Sequence, residues 1–98
     1  MASAPALREP VIPADYHFHE GNCHLQLRNY NEAFSCFQRA LEVDETHAQA
    51  HNNLAFLFHM AKRYQDAWLH LHAAKGNGEQ VNPQFAEALV QAMSQDQE

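Results

Sequence analysis

The stretch Tyr30-Asn-Glu-Ala-Phe-Ser-Cys-Phe-Gln-Arg-Ala-Leu41 decides the fold of this chain. Its small and apolar side chains at positions 33, 37, 40 and 41 follow the spacing of one buried stripe on an α-helix. A shift of 34 residues aligns it with Tyr64-Gln-Asp-Ala-Trp-Leu-His-Leu-His-Ala-Ala-Lys75, where the tyrosine and the two stripe alanines recur in register. The sequence therefore predicts two copies of one helix at a fixed period.

The repeated unit is longer than this one helix. The same shift aligns Ala14 with Ala48, so the two copies are predicted at residues 14–47 and 48–81. Ahead of the second stretch, apolar side chains at positions 54, 55, 58 and 61 form another helical stripe. Each copy is therefore predicted to be a pair of helices joined by a turn.

Residues typical of helix ends agree with this division. Thr46-His-Ala-Gln49 has capping-box spacing and predicts the start of the third helix, while Gly76-Asn-Gly78 predicts the end of the fourth. Asn82 followed by Pro83 predicts that a fifth helix begins in the segment 82–98. The predicted buried stripe of this helix is Phe85, Ala88, Leu89, Ala92 and Met93.

The remaining segment, residues 1–13, holds three of the four prolines and few apolar residues. We predict that it forms a flexible N-terminal arm. With five predicted helices and no predicted strand, the chain belongs to the all-α class. Its 98 residues suffice for one domain.

Composition and charge exclude several classes of function. The formal charge is −6 and the six Lys and Arg residues are scattered, so no basic stripe is available for nucleic acid. No apolar run approaches the roughly 20 residues of a membrane span. No catalytic constellation or phosphate-binding loop occurs, so we expect neither enzymatic activity nor a cofactor. Two cysteines outside any Cys-x-x-Cys pair favour a cytoplasmic protein, the alternative being a periplasmic or exported one whose N-terminal signal has been removed.

The helical unit resembles the tetratricopeptide repeat family, whose signature runs W-x₂-L-G-x₂-Y…A-x₃-F…P. The two copies read His17-x₂-Glu20-Gly21-x₂-His24…Ala33-x₃-Phe37 and His51-x₂-Leu54-Ala55-x₂-Phe58…Ala67-x₃-Leu71. The resemblance covers about two-thirds of the chain. It departs from the signature at the histidines in the Trp position, at Glu20 and His24 in the first copy, and at Glu45 and Glu79 in place of Pro.

The resemblance implies a short right-handed α-solenoid in which the segment 82–98 forms a capping helix over the last open face, followed by a C-terminal tail. It further implies an adaptor, scaffold or co-chaperone-like module that binds a protein or peptide partner in a concave groove. The first helix of each copy would line that groove. The predicted groove residues are Phe18, Asn22, Leu25, Gln26, Asn52, Asn53, Phe56, His59 and Met60.

Two interpretations of these groove residues stay open. Apolar side chains between asparagines suit an extended or helical ligand, because the apolar groups supply buried area and the amides can hold a peptide backbone. In the other interpretation, Phe18, Leu25 and Phe56 pack against the N-terminal arm or the fifth helix.

Some family members use two asparagines and several cations to bind the C-terminal carboxylates of chaperones. Asn22 and Asn53 fall at the two asparagine positions, but Phe18, Pro83 and Glu87 stand where cations would be needed. The sequence therefore favours a more apolar, less acidic ligand in this groove.

A competing function rests on the histidine-rich first helix. His17, Glu20 and His24 lie on one predicted helical face. We predict no resident metal, but these three residues are the candidates for binding one, since imidazole and carboxylate both suit transition metals. They could also sense pH, because burial disfavours the charged form of histidine. The alternative function is therefore a self-associating structural or sensory domain, such as a homodimer, that responds to metal or pH.

Overall fold

Residues 11–96 are described by a computed structural model, and within them the chain forms α-helices and no β-strand. The five helices are α1 (Ala14–Gln26), α2 (Tyr30–Val43), α3 (Ala48–Met60), α4 (Tyr64–Gly76) and α5 (Pro83–Asp96). The predicted all-α helical-repeat solenoid is therefore confirmed. Most of the predicted arm at 1–13 lies outside the described residues, as does the end of the segment 82–98. Among the described residues, no helix combines the length and the apolar character needed to cross a membrane.

The turn inside each helical hairpin contains one residue with left-handed backbone. Arg28 follows α1 with a φ of 61°, and Lys62 follows α3 with a φ of 62°. At the first turn, the N–H of Asn29 donates to the carbonyl oxygen of His24 at 2.8 Å, the Schellman arrangement that ends many helices. Long side chains rarely adopt this backbone conformation, so both repeats accept a local strain at the same position.

The ends of the last two helices follow the predicted signals closely. Gly78, with a φ of 97°, supplies the left-handed residue after α4, while Gly76 still belongs to the helix. The side-chain oxygen of Asn82 accepts the N–H of Gln84 at 2.9 Å, and α5 begins at Pro83 as predicted. One residue of the predicted buried stripe of α5 is wrong. Ala88 is exposed, whereas Ala86, which was not predicted, is half-buried together with Ala92.

The predicted capping box at the start of α3 is wrong. The hydroxyl and N–H of Thr46 both bond to the side chain of Asp44 instead of to the helix. The N-cap is His47, whose Nδ1 atom accepts the N–H of Ala50 at 3.1 Å. Histidine is not among the residues usually favoured at this position, which is why the sequence pattern pointed to its neighbour.

Small residues let the two helices of each hairpin approach closely. A Cβ atom added at Gly21 on α1 would lie 2.6 Å from the ring of Phe37 on α2. In the second hairpin, the same two positions are held by Ala55 and Leu71, both buried. Glycine is thus paired with phenylalanine in the first hairpin, and the larger alanine is paired with the smaller leucine in the second. The two repeats therefore fill a similar space with different pairs.

The repeats also pack on one another. Ala50, Leu54 and Leu57 of α3 share a buried cluster with Phe18 and Phe37 of the first hairpin. Leu89 of α5 is fully buried in a second cluster formed with the second hairpin. The fifth helix thus covers apolar surface that the second hairpin would otherwise leave open.

The unusual polarity of α1 has a physical explanation in this packing. Glu20 stands at the repeat position of Leu54, and Leu54 is buried between the two hairpins. Among the described residues α1 packs on α2 and no hairpin precedes it, so a polar residue is tolerated at this position. Glu20 instead accepts a hydrogen bond from the thiol of Cys36 at 3.5 Å. Burial, followed by this bond to Glu20, raises the pKa of Cys36 above its usual value.

Candidate partner-binding surface

The predicted groove residues differ in how much surface they retain. Gln26, Phe56 and Met60 are exposed, whereas Asn22, Leu25, Asn52, Asn53 and His59 are half-buried. We call these eight residues the groove surface. They lie on α1 and α3, the first helices of the two hairpins.

The ninth predicted residue, Phe18, does not belong to this surface. Its side chain is only 7% exposed, and its ring packs at 5.9 Å from the ring of Phe37 and 5.1 Å from that of His47. The ring thus joins the core shared by the two hairpins. The prediction that Phe18 is presented to a ligand is therefore corrected, because no open face remains on it.

Two amides connect the repeats across the groove surface. The Nδ2 atom of Asn53 on α3 donates to the Oδ1 atom of Asn22 on α1 at 2.8 Å. A side-chain amide offers two donor hydrogens and an acceptor with two lone pairs. The hydrogen bond therefore uses part of this capacity and leaves both N–H groups of Asn22, and the oxygen and second N–H of Asn53, for further partners.

The apolar part of the groove surface extends onto the fifth helix. The ring of Phe56 lies 6.4 Å from that of Phe85 on α5, yet 47% of Phe56 stays exposed. The ring of His59 meets Phe85 edge-on at 5.3 Å. Phe56 thus combines the two interpretations raised by the sequence, since it contacts the fifth helix and still offers apolar area to a ligand. Leu25 packs along the margin of the core.

A hydrogen bond that the sequence did not predict joins the beginnings of α1 and α3, the two helices that carry the groove surface. The Nε2 atom of His47 donates to a carboxylate oxygen of Asp15 at 2.8 Å, while its Nδ1 atom caps α3. These two bonds assign the ring proton to Nε2 when His47 is neutral. The residues are 32 positions apart, so no local pattern could reveal the contact.

The first-helix residues proposed for a metal do not form a ligand set. The Nδ1 atom of His17 lies 3.8 Å from the carboxylate of Glu20, too far for a hydrogen bond. Within residues 11–96, no three His, Cys, Asp or Glu side chains are placed to share a metal ion. The Nδ1 atoms of His17 and His24 are buried and have no hydrogen-bond partner among these residues.

A histidine pair in the second hairpin was missed by the sequence analysis. The Nε2 atom of His51 donates to the carbonyl oxygen of Glu45 at 2.8 Å, so in the neutral pair its Nδ1 atom accepts from the Nδ1 atom of His70 at 2.9 Å. The ring of His70 stacks on Phe58 at 5.3 Å. Burial and then the nearby His51 lower the pKa of His70, against a smaller opposing effect of Asp66.

Comparison with known families agrees with this architecture. Two models described as tetratricopeptide repeat match the chain, one over residues 14–47 and the other over residues 36–68. The chain belongs to the tetratricopeptide repeat family. Such repeats generally mediate protein–protein interaction and are typically not catalytic. No curated protein matches the chain.

Proposed function

We propose that this protein is an adaptor or scaffold whose groove surface binds a peptide or helix of a partner protein. One observation carries the proposal: the groove surface combines exposed apolar area at Phe56 with the amides of Asn22 and Asn53, which retain hydrogen-bonding capacity. Apolar anchors supply most of the affinity of such interfaces, and amides fix the direction of a bound backbone. The groove surface has no Lys or Arg, which favours an apolar ligand over an acidic one.

The test compares the wild type with Phe56→Glu in affinity capture from lysate of the source organism, read by mass spectrometry. A charge at position 56 would be buried by a docked partner, so we expect the variant to lose at least nine-tenths of the captured partner. Leu69→Glu is the matched control, because Leu69 is 65% exposed on α4 and lies outside the groove surface.

Circular dichroism of both variants checks that the helices are intact. The proposal requires the partner to be retained by Leu69→Glu and lost by Phe56→Glu. It fails if both variants capture the same proteins as the wild type.

A second candidate function is a self-associating sensory domain, and two buried atoms favour it. The Nδ1 atoms of His17 and His24 have no partner among the described residues, and such buried polar groups call for an explanation. We propose that α1 mediates self-association that responds to pH or to added metal, with any metal shared between copies because no three ligands within residues 11–96 of one copy are placed to bind it. The molar mass in solution and the melting temperature, measured at pH 7.5 and 5.5 and with added Zn²⁺, test this. Unchanged values would eliminate it.

We also propose a cytoplasmic location, with a periplasmic or exported protein as the alternative. Both cysteines are thiols, and Cys36 is buried, which suits a reducing compartment. Cell fractionation of the native protein would test the location. Recovery in the periplasm or the medium would overturn it.

A further inference from the structure

An apolar cleft lies on the edge of the solenoid where the two intra-hairpin turns meet, beside the groove surface. Its volume is about 410 Å³. Its floor comes from both repeats, and its rim is partly polar. We call it the edge cleft, and its main lining residues are Tyr30, Phe34, Leu57, Phe58, Met60 and Arg63.

The floor of the edge cleft is held in place before any ligand binds. The rings of Phe34 and Phe58 meet edge to face at 5.2 Å. The guanidinium of Arg63 lies 5.5 Å from the centre of the Phe58 ring and pairs with the carboxylate of Asp66 at 2.7 Å. A preformed apolar site costs little conformational entropy on binding.

The rim of the edge cleft remains open to solvent. Tyr30 is 40% exposed and Met60 is 45% exposed, so a ligand would remove apolar area of both from water. The volume accommodates one large side chain with room to spare, since pockets for whole small molecules begin near 300 Å³.

The two turns next to this cleft contain basic residues in an otherwise acidic chain. The two turns, residues 27–29 and 61–63, hold Arg28, Lys62 and Arg63, which are three of the six Lys and Arg residues. Neither turn contains an acid. Arg28 and Lys62 are exposed and form no ion pair within the described residues.

The loops at the opposite ends of the helices have the reverse charge. The loop after α2 contains Asp44 and Glu45, the loop after α4 contains Glu79, and neither loop contains Lys or Arg. The loops therefore differ in sign, while the adjoining helix turns carry Glu32 and Asp66 beside the basic turns and Lys75 beside the loop after α4. Since Arg63 is paired with Asp66, a ligand that approaches the turns meets Arg28 and Lys62 as the cations without an ion-pair partner among the described residues.

We propose that the edge cleft binds an acidic peptide segment of a partner protein, with one bulky apolar side chain in the cleft and flanking carboxylates near Arg28 and Lys62. The apolar floor provides the anchor, and the two unpaired cations select the charge. The site goes beyond the proposed groove function, because the edge cleft would bind an acidic ligand and the groove surface an apolar one. Of the residues in the groove surface, only Met60 lines both sites.

The experiment selects a random displayed peptide library on the full wild-type chain and measures the enriched peptides by fluorescence anisotropy. We expect a class of peptides with Asp or Glu within two residues of Leu, Phe, Trp or Met. Its affinity should fall at least tenfold in Arg28→Glu/Lys62→Glu and also in Tyr30→Ala.

The control is Arg39→Glu/Lys75→Glu, which changes the net charge by the same amount on exposed helix positions away from the turns. We expect this control and Phe56→Glu to bind the acidic peptides as the wild type does. Absence of an acidic class, or an equal loss in the control, overturns the proposal. Loss of acidic-peptide binding in Phe56→Glu would also overturn it, because the peptides would then bind the groove surface. Failure of the groove proposal would not change the result expected for Arg28→Glu/Lys62→Glu. Thermal unfolding of each variant confirms the fold.

Discussion

At the scale of single residues, Arg28 and Lys62 show that position in a repeat can outweigh local preference. Both have left-handed backbone, which glycine adopts without cost. They are also the two unpaired cations beside the edge cleft. A side chain kept at a strained position in both repeats is consistent with a role for its charge.

The backbone at Lys62 gives a prediction for stability. Lys62→Val places a β-branched side chain at a φ of 62°, so we expect the free energy of unfolding to fall by about 2 kcal/mol. Lys62→Gly should stay within about 1 kcal/mol of the wild type, because relief of strain offsets the greater entropy of the unfolded chain. Urea denaturation followed by circular dichroism measures both.

Lys75→Val controls for the change of side chain, since Lys75 is exposed within α4. Its cost should remain below about 1 kcal/mol, the effect of helix propensity alone. Equal losses at positions 62 and 75 would contradict a special role of the left-handed turn.

His70 predicts how stability depends on pH. Its pKa in the folded state is lowered, mainly by burial, so the unfolded chain binds a proton more readily. The contribution of neutral His70 to the free energy of unfolding is therefore complete above the pKa of the unfolded chain, about 6.5, and is lost as the pH falls below that value. We expect the free energy of unfolding to decrease between pH 7.5 and 5.5.

The comparison of two variants isolates this contribution from the other histidines. His70→Gln keeps a side-chain donor that can reach His51, and we expect a shallower pH dependence than in the wild type. His72→Gln removes an exposed histidine on the same helix and should retain the full dependence. If the two variants have the same slope, His70 is not the group responsible.

At the scale of elements, the two hairpins solve one packing problem with different pairs of residues. Gly21 faces Phe37, and Ala55 with Leu71 holds the same positions in the second hairpin. We expect Gly21→Ala to lower the free energy of unfolding by about 1–3 kcal/mol, because the added methyl group meets the Phe37 ring.

A double-mutant cycle tests whether this contact is the cause. Gly21→Ala combined with Phe37→Leu reproduces the pair of the second hairpin, so the double variant should be more stable than the sum of the single losses predicts. Gly76→Ala is the control, since its added Cβ would meet nothing within 4 Å. Additive losses in the cycle would rule out the proposed complementarity.

At the scale of the whole molecule, the two buried clusters are in contact through Phe58, so we expect them to unfold as one cooperative unit. Phe58 packs against both clusters, and α5 completes the second through Leu89. Trp68, the only tryptophan of the chain, lies beside α5 in a shallow pocket with Ala86 and Val90. Its fluorescence therefore reports on the docking of α5, whereas circular dichroism reports on all helices.

Leu89→Ala tests this cooperativity. The side chain is fully buried, so we expect a loss of about 2–4 kcal/mol, a large part of the stability of so small a domain. Fluorescence and circular dichroism should still give one coincident urea transition. A Trp68 transition that precedes loss of helicity would show that α5 detaches by itself.

The sequence predicted the repeat and the helices because both depend on periodic or local patterns. The stripe through Ala33, Phe37 and Ala40 is visible in any helical projection, and a period of 34 residues needs no knowledge of contacts. The same reasoning predicted nine groove residues, of which all but Phe18 keep exposed or half-buried surface. It failed for the N-cap of α3, where His47 replaces the residue types that normally signal a helix start.

By itself, therefore, the sequence determined an all-α repeat with two hairpins and a fifth helix, and it predicted which side chains bind a partner. The tertiary structure alone decided how those side chains are used. It buried Phe18, joined Asn22 to Asn53, paired His51 with His70 and formed the edge cleft from two turns. These contacts join residues 19 or more positions apart, and a hydrogen bond or a cleft depends on the distances between atoms, which no local pattern encodes.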